Sequence, residues 1–126
     1  MKELTRAEEQ IMQYLWKLEK AFLKDIVEQF PEPRPAYTTV STVVRVLVKK
    51  NFIGFKSYGK VNEYFPAVKK KEYFKFYFKG MMNSFFNNST SKFASHFSND
   101  KDVSLTELEE MKQILEEQIK KRKSDG

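Results

Sequence analysis

Hydrophobic and polar residues between positions 38 and 50 alternate with the period of a helix. The apolar residues recur every three or four positions and form one stripe, made of Val40, Val43, Val44 and Leu47. The opposite face carries Thr38, Thr39, Ser41, Thr42, Arg45 and Lys49. Valine and threonine lose side-chain freedom in a helix, so this β-branched run is also compatible with a strand. The periodicity, together with Pro35 just upstream, favours a helix that depends on tertiary packing for its stability.

Two helices are predicted ahead of this segment. Thr5 and Glu8 have the spacing of a capping box, so the first helix begins there. Its stripe consists of Ala7, Ile11, Tyr14, Leu15 and Leu18, with Met12 and Trp16 beside it. A single tryptophan at this spacing is more typical of a core position than of a binding site. After a short extended link at 20–22, apolar residues from 23 to 30 predict a second helix, which the prolines between 31 and 35 terminate.

The segment after Lys50 has the pattern of a β-hairpin. Asn51 is expected to end the preceding helix in a left-handed conformation. Aromatic and β-branched residues at 52–58 and 61–66 flank the turn residues Gly59-Lys60. Three helices followed by a hairpin predict a winged helix-turn-helix domain over residues 1–68. The helix at 38–50 takes the recognition position in it.

Residues 69–126 differ in composition and predict three further helices. The first is so rich in phenylalanine, tyrosine and methionine that we expect it to be buried on several sides. Lys75 and Lys79 argue against a membrane element. Stacking of these rings on single-stranded nucleic acid is disfavoured, because such platforms usually lie on sheets or loops. A short polar helix follows, and the last helix begins at Ser104, which has Glu107 in the capping-box position.

A second copy of the chain is the expected partner of these three helices. A winged domain closed by its own hairpin offers them no partner, and a homodimer buries apolar faces of this kind. The residues expected in the dimer contact are Phe74, Phe78, Met81, Phe85, Leu108, Met111, Ile114, Leu115 and Ile119. The predicted fold is therefore mainly α with a small β-hairpin wing, an N-terminal winged helix-turn-helix (1–68) followed by a C-terminal three-helix dimerisation region (69–126).

The charge distribution supports a nucleic-acid partner for the recognition helix. The formal net charge is +6, and no acidic residue occurs between Glu32 and Glu63. The basic residues in that window are Arg34, Arg45, Lys49, Lys50, Lys56 and Lys60. Small hydroxyl groups beside an arginine suit the base edges and phosphates of DNA. In a simpler interpretation Thr38, Thr39 and Ser41 only cap or solvate a helix end, which the basic window disfavours.

Individual roles follow from these residue types. Arg45 is expected to contact either a guanine or a phosphate, and the methyl group of Thr39 or Thr42 is expected to contact a thymine. Phosphate contacts are expected from four other basic residues, Arg34, Lys49, Lys56 and Lys60. Tyr58 lies beside Lys56 and Lys60 at the wing tip and is expected to contribute there.

Enzymes and metal sites are not expected from this sequence. It contains no cysteine, and His96 is the only histidine, so neither a disulfide framework nor a metal-binding cluster is predicted. No nucleophile–base pairing or phosphate-cradling glycine loop is visible, and no cofactor is expected. The sequence shows no apolar leader and no apolar run of membrane-spanning length, and we expect a cytoplasmic protein without membrane insertion.

Several of these segments together resemble the penicillinase-repressor (BlaI/MecI/CopY) family of bacterial transcriptional regulators along nearly the full chain. The Tyr-Thr-Thr-Val start of the recognition helix and the tryptophan near the end of the first helix are fairly specific in combination. The matching segments are Leu4-Thr5-Arg6-Ala7-Glu8, Leu15-Trp16, Ala36-Tyr37-Thr38-Thr39-Val40, Leu47, Lys49-Lys50, Phe65-Pro66 and Leu105-Thr106-Glu107-Leu108-Glu109-Glu110.

The resemblance implies a dimer that binds palindromic operators through the first turns of its recognition helix. The matching positions are Thr38, Thr39, Ser41, Thr42 and Arg45. Some relatives carry lysine and arginine where this chain has Thr38 and Ser41, so a different base preference is expected. The cysteine box of the copper-responsive branch is absent, and copper sensing is not expected.

The resemblance also implies a route to derepression. In the β-lactam branch a membrane sensor-protease system leads to cleavage of the repressor ahead of its last helix. The matching bond is His96–Phe97, although relatives carry asparagine at the first position. The leading hypothesis is thus a dimeric repressor released by such cleavage. The alternative is a winged-helix interaction module whose basic face binds an acidic protein.

Overall fold

The computed structural model describes residues 1–126 as two compact units, Met1–Phe78 and Lys79–Gly126. Six helices and a three-stranded antiparallel sheet confirm the predicted fold class. The elements are α1 (Arg6–Leu18), β1 (Ala21–Phe22), α2 (Leu23–Gln29), α3 (Tyr37–Lys49), β2 (Ile53–Tyr58), β3 (Val61–Pro66), α4 (Lys70–Phe86), α5 (Thr90–Ser98) and α6 (Leu105–Asp125). No helix combines the length and the hydropathy needed to cross a membrane.

Helix α1 begins with the predicted capping box. The Thr5 side chain accepts a hydrogen bond from the Glu8 amide, and the Glu8 side chain accepts one from the Thr5 amide. The predicted stripe was wrong at Ala7, which is exposed, because the helix instead turns the capping residue Glu8 towards the core. The buried residues of this segment are Leu4, Glu8, Ile11, Met12 and Leu15.

Trp16 takes the predicted structural role beside the core. Its ring is partly buried against the core cluster. The indole Nε1–H donates to the backbone oxygen of Val68 at 2.9 Å, which satisfies the polar edge of the ring.

Helix α3 confirms the prediction of a helix rather than a strand. Its inward face buries Val40, Val44 and Leu47, while Val43 is half-buried. The N-cap residue is Ala36, which offers no side-chain hydrogen bond, so Thr38 and Thr39 do not cap the helix. At the other end Asn51 has φ 66, as predicted for the left-handed residue that stops it.

The sheet has the order β1-β3-β2, and β2 and β3 form the predicted hairpin. Their register runs from Ile53 opposite Pro66 to Tyr58 opposite Val61. Gly59 opens the connecting turn with φ 63, a conformation that glycine adopts without strain. The short strand β1 adds to the free edge of β3, so the hairpin is tied to the start of α2.

Tyr73 on α4 is buried in the first compact unit. Its hydroxyl accepts a hydrogen bond from the Leu4 amide at 2.9 Å. Its ring lies 6.1 Å from Trp16 and 5.8 Å from Phe52, measured between ring centroids. The first turns of α4 therefore belong to the same compact unit as the winged helix. The functional division at 68/69 stays a prediction.

The second unit contains the end of α4 together with α5 and α6. Asn87 and Asn88, with φ of 50 and 61, end α4, and the predicted capping box of Ser104 and Glu107 begins α6. The aromatic segment was expected to be buried on several sides, and this is wrong for the single chain. Of its residues only Tyr73 and Met82 are buried, Phe76, Phe78 and Phe86 are partly covered, and Phe74, Tyr77 and Phe85 are exposed.

Replacing Tyr73 by phenylalanine tests the contact between α4 and the N-terminal segment. The substitution keeps the ring but leaves the buried Leu4 amide without an acceptor, so the free energy of unfolding should fall by about 1–3 kcal/mol. Urea unfolding followed by Trp16 fluorescence, at one fixed protein concentration, measures the change. The control Tyr58→Phe removes an exposed hydroxyl and should change stability by less than about 0.5 kcal/mol. Equal effects of the two substitutions would contradict this role of Tyr73.

Candidate DNA-binding surface

The polar face of α3 is exposed and carries no acidic residue. Thr38, Thr39, Thr42 and Arg45 face solvent, and Ser41 is partly covered. The Thr42 hydroxyl donates to the Thr38 carbonyl oxygen at 2.9 Å, which satisfies its hydrogen inside the helix. This bond leaves the methyl group and an oxygen lone pair of Thr42 for an outside partner.

Arg45 lies one turn after Ser41 on the same face. Its Nη2 donates to the Ser41 hydroxyl at 3.4 Å, and no carboxylate neutralises the guanidinium. The remaining guanidinium donors are therefore available in the planar, forked geometry that suits a guanine edge or a phosphate. The structure brings the predicted base-reading residues together on one face.

The wing carries two of the predicted basic side chains. The Lys56 Nζ lies 5.3 Å from the centroid of the Tyr58 ring, a distance that permits a cation–π contact. Lys60 is in the turn, next to Gly59. Lys56 is opposite Glu63 in the strand register, yet the two side chains form no ion pair. All three predicted wing residues, Lys56, Tyr58 and Lys60, are exposed.

Arg34 is engaged within the protein. Its guanidinium pairs with Glu32 at 3.0 Å and donates to the backbone oxygens of Phe30 and Glu28 at 3.0 and 3.3 Å. It thus satisfies carbonyl groups at the C-terminal end of α2. Its predicted phosphate contact would need it to exchange some of these bonds, whereas Lys49 on α3 is exposed without such partners.

A groove of about 660 Å³ separates the wing from α2 and the start of α3. Apart from Lys60, sequence reasoning did not single out the residues of this groove, because they come from three distant segments. Lys24, Tyr37 and Asn62 place polar groups along it beside Lys60, while Phe22 and Tyr64 form part of its wall.

Lys50 belongs to the basic window of the sequence but is not free. Its Nζ lies 2.7 and 3.0 Å from the two carboxylate oxygens of Glu8, a residue only 4% exposed. Burial of Glu8 acts to raise its pKa. The hydrogen bonds from Lys50 and Thr5 and the positive charge of Lys50 outweigh that effect, so the pKa of the carboxyl group is lower than its ordinary value of 4.5.

The predicted dimer residues are largely uncovered in the single chain. Phe78, Met81, Leu108 and Met111 are partly buried. The others are exposed, with Phe85 at 78%, Ile114 at 60% and Leu115 at 61%. The exposed members are Phe74, Phe85, Ile114, Leu115 and Ile119.

The candidate cleavage bond lies in the last turn of α5. His96 and Phe97 are both exposed, and the His96 ring is 5.7 Å from the ring of Phe86. Residues 99–104 then connect α5 to α6. A protease that binds extended chain would therefore have to unwind one helical turn to reach the bond.

Three helices, a basic hairpin wing and an acid-free recognition helix define a winged helix-turn-helix DNA-binding protein. The sequence pattern of the penicillinase repressor family matches residues 4–117, so the chain belongs to that family. This confirms the predicted family and its function in transcriptional repression, which is not an enzymatic one.

Individual relatives are similar over most of their length. The penicillinase repressor of Bacillus licheniformis is 23% identical over 122 residues, which cover 96% of this chain and 95% of the relative. The methicillin resistance regulatory protein MecI of Mammaliicoccus sciuri is 26% identical over 114 residues, 90% and 93% of the two chains. A solved CopR repressor structure is 30% identical, with a TM-score of 0.44, and covers 52% of this chain and 96% of its own.

The dependence of stability on pH should reveal the contribution of the ion pair between Glu8 and Lys50. The pKa of Glu8 is lower in the folded protein than in the unfolded chain, so ionisation of Glu8 stabilises the fold at pH values above the unfolded-state pKa. This stabilisation is lost as the pH falls through the pKa that Glu8 has in the folded protein. At neutral pH, Glu8→Gln should therefore reduce the free energy of unfolding by about 1–3 kcal/mol. The difference from the wild type should shrink towards acid pH.

Urea unfolding at a series of pH values measures this difference. The same comparison in a Lys50→Met background completes a double-mutant cycle, in which the pH-dependent difference should be smaller. A difference that stays constant from neutral to acid pH would contradict the ionic pairing.

Proposed function

We propose that this repressor binds palindromic operator DNA as a homodimer. The observation that carries the proposal is the acid-free face of α3, on which Thr38, Thr39, Thr42 and Arg45 are exposed, together with a wing that exposes Lys56 and Lys60. In winged helix-turn-helix proteins a helix in this position enters the major groove. Two copies related by a two-fold axis match a palindrome, with half-sites one or more DNA turns apart, about 34 Å per turn.

Base reading is assigned to the first turns of α3. Arg45 has free donors for a guanine edge, and Thr42 has a free methyl group for a thymine. Thr38, Thr39 and Ser41 are short enough to let the helix approach the base edges closely. Lys49, Lys56 and Lys60, with Arg34 and Tyr58, hold the phosphates and orient the helix, which makes binding depend on salt.

Dimerisation is assigned to the apolar side chains of α4 and α6. Ile114, Leu115 and Ile119 lie close together on α6 and are all more than half exposed in the single chain. Exposed apolar patches of this kind mark protein contacts. Burial of each such side chain contributes about 1.5–3 kcal/mol, so a few of them from each copy can stabilise a dimer.

Release from DNA is assigned to a cut between His96 and Phe97 by a sensor-protease system. The cut separates α6 from the winged helix and thereby removes Leu108, Met111, Ile114, Leu115 and Ile119 from the dimer contact. A single winged helix then holds one half-site with much lower affinity, because the gain from linking two half-sites is lost.

Substitutions on the recognition helix should separate base reading from phosphate binding. Arg45→Ala should reduce the preference for the operator over random duplex by about 1–3 kcal/mol. Lys49→Ala should weaken binding to both duplexes equally and reduce the salt slope by about 1. Gel-shift titrations on the DNA upstream of the gene, at several salt concentrations, measure both quantities.

The result for Arg45→Ala decides its assignment. An unchanged preference would show that Arg45 reads no base. Equal affinity of the wild-type protein for both duplexes would contradict operator recognition altogether and favour an acidic protein as the partner of the basic face.

The double substitution Ile114→Asp and Leu115→Asp should dissociate the dimer. The two copies of the dimer together carry four such carboxylates, and each would disfavour the buried state by at least about 1.4 kcal/mol, so the dissociation constant should rise about 10,000-fold or more. Sedimentation equilibrium at micromolar concentration measures it. The matched control, Thr106→Asp and Gln113→Asp, adds the same charges on the other side of α6 and should remain dimeric.

The fragment that ends at His96 should behave like the dissociated variant and bind the operator weakly. A monomeric wild-type protein, or a fragment that stays dimeric, would contradict the assignment of α6. Full-length, uncut protein leaving the operator under inducing conditions would contradict the cleavage step.

A further inference from the structure

Lys49 and Lys50 are adjacent in sequence but have different surroundings. Lys49 is exposed on the polar face of α3. One residue advances a helix by about 100°, so Lys50 projects from a different side of the helix end than Lys49 and lies half-buried against α1. There its ammonium group meets both carboxylate oxygens of Glu8, at 2.7 and 3.0 Å.

Glu8 is the buried charged residue of the protein, and each of its contacts is directional. One of its carboxylate oxygens also accepts a hydrogen bond from the Thr5 amide at 2.8 Å. In return, the Thr5 hydroxyl oxygen accepts a hydrogen bond from the Glu8 amide at 3.2 Å. The N-cap residue of α1 and the C-cap residue of α3 therefore share one carboxylate, that of Glu8, which is 42 residues from Lys50.

The rest of the contact between α1 and α3 is apolar. Val40, Val44 and Leu47 pack into the core beside Ile11 and Leu15. Apolar packing fixes distance better than it fixes orientation, because the hydrophobic effect has no preferred direction. Within this contact the pair of Glu8 and Lys50 is the directional bond, and it lies at the very end of α3.

A small rotation about that end has a large effect on the base-reading residues. Thr39 is eleven residues from Lys50, about 16 Å along the helix, so a tilt of about 10° moves it by about 3 Å. Base contacts need their partners within a few tenths of an ångström. Phosphate contacts from long, flexible lysines tolerate such a displacement better.

We propose that the ion pair between Glu8 and Lys50 is a positioning device that sets the orientation of the recognition helix, and that operator specificity depends on it. The inference rests on the proposed function, since it concerns how the same surface reads DNA. Lys50 itself touches no DNA in this account. Loss of the pair should reduce operator binding far more than binding to random duplex.

Four full-length variants test the proposal by fluorescence anisotropy on two duplexes of equal length, the sequence upstream of the gene and a random one. Lys50→Met and Glu8→Gln should lower the ratio of operator to random affinity about tenfold, the equivalent of one lost base contact. Lys50→Arg keeps a cation within reach of Glu8 and should retain the ratio. Lys49→Met should lower both affinities equally and leave the ratio unchanged.

Glu8→Gln keeps the test valid if Lys50→Met does not fold. Glutamine is the alternative capping-box residue, so its amide oxygen retains the Thr5 bond and only the charge is lost. Circular dichroism confirms that each variant is folded at the assay temperature. A folded Glu8→Gln or Lys50→Met protein with the wild-type ratio would overturn the proposal, even if its stability were reduced. No operator preference in the wild type would instead overturn the proposed function, and this inference with it.

Discussion

The packing of one face of α3 against the core is the constraint on which the rest of the protein depends. The helix is made largely of valine and threonine, which do not favour a helix on their own. Burial of Val40, Val44 and Leu47 supplies the stability that propensity does not. Because the inward face is fixed in this way, the short polar residues between those positions must face outwards, towards solvent.

The elements around α3 determine how that outward face is presented. Arg34 satisfies the end of α2, Ala36 starts α3 without a capping side chain, and Lys50 joins its end to Glu8. The wing is formed by the pairing of β2 with β3, which begins at the buried Ile53. It carries Lys56 and Lys60, whose side chains are exposed. The hydrogen bonds of Arg34 and Lys50 thus lie at the ends of α2 and α3, whereas the middle of α3 is held by apolar packing.

Local signals in the sequence were sufficient to predict where the main helices and the β-hairpin lie. The capping boxes at Thr5 and Ser104, the prolines before α3 and the glycine turn of the hairpin each act over a few residues, and all were predicted. The bond between Glu8 and Lys50 was not, because its partners are 42 residues apart and each has an ordinary local explanation. The density of aromatic residues in α4 predicted burial, but composition does not reveal that Phe74, Tyr77 and Phe85 stay exposed in the single chain.

Selection of bound sequences from a pool of random duplexes would test the central claim, that the polar face of α3 reads DNA as part of a symmetric dimer. The wild-type protein should enrich a palindrome whose two half-sites are separated by a whole number of helical turns. Changes at Thr42 or Arg45 should alter the enriched bases at symmetric positions in both halves. Recovery of duplexes with no shared sequence would contradict this account and leave the basic surface as a general polyanion-binding one.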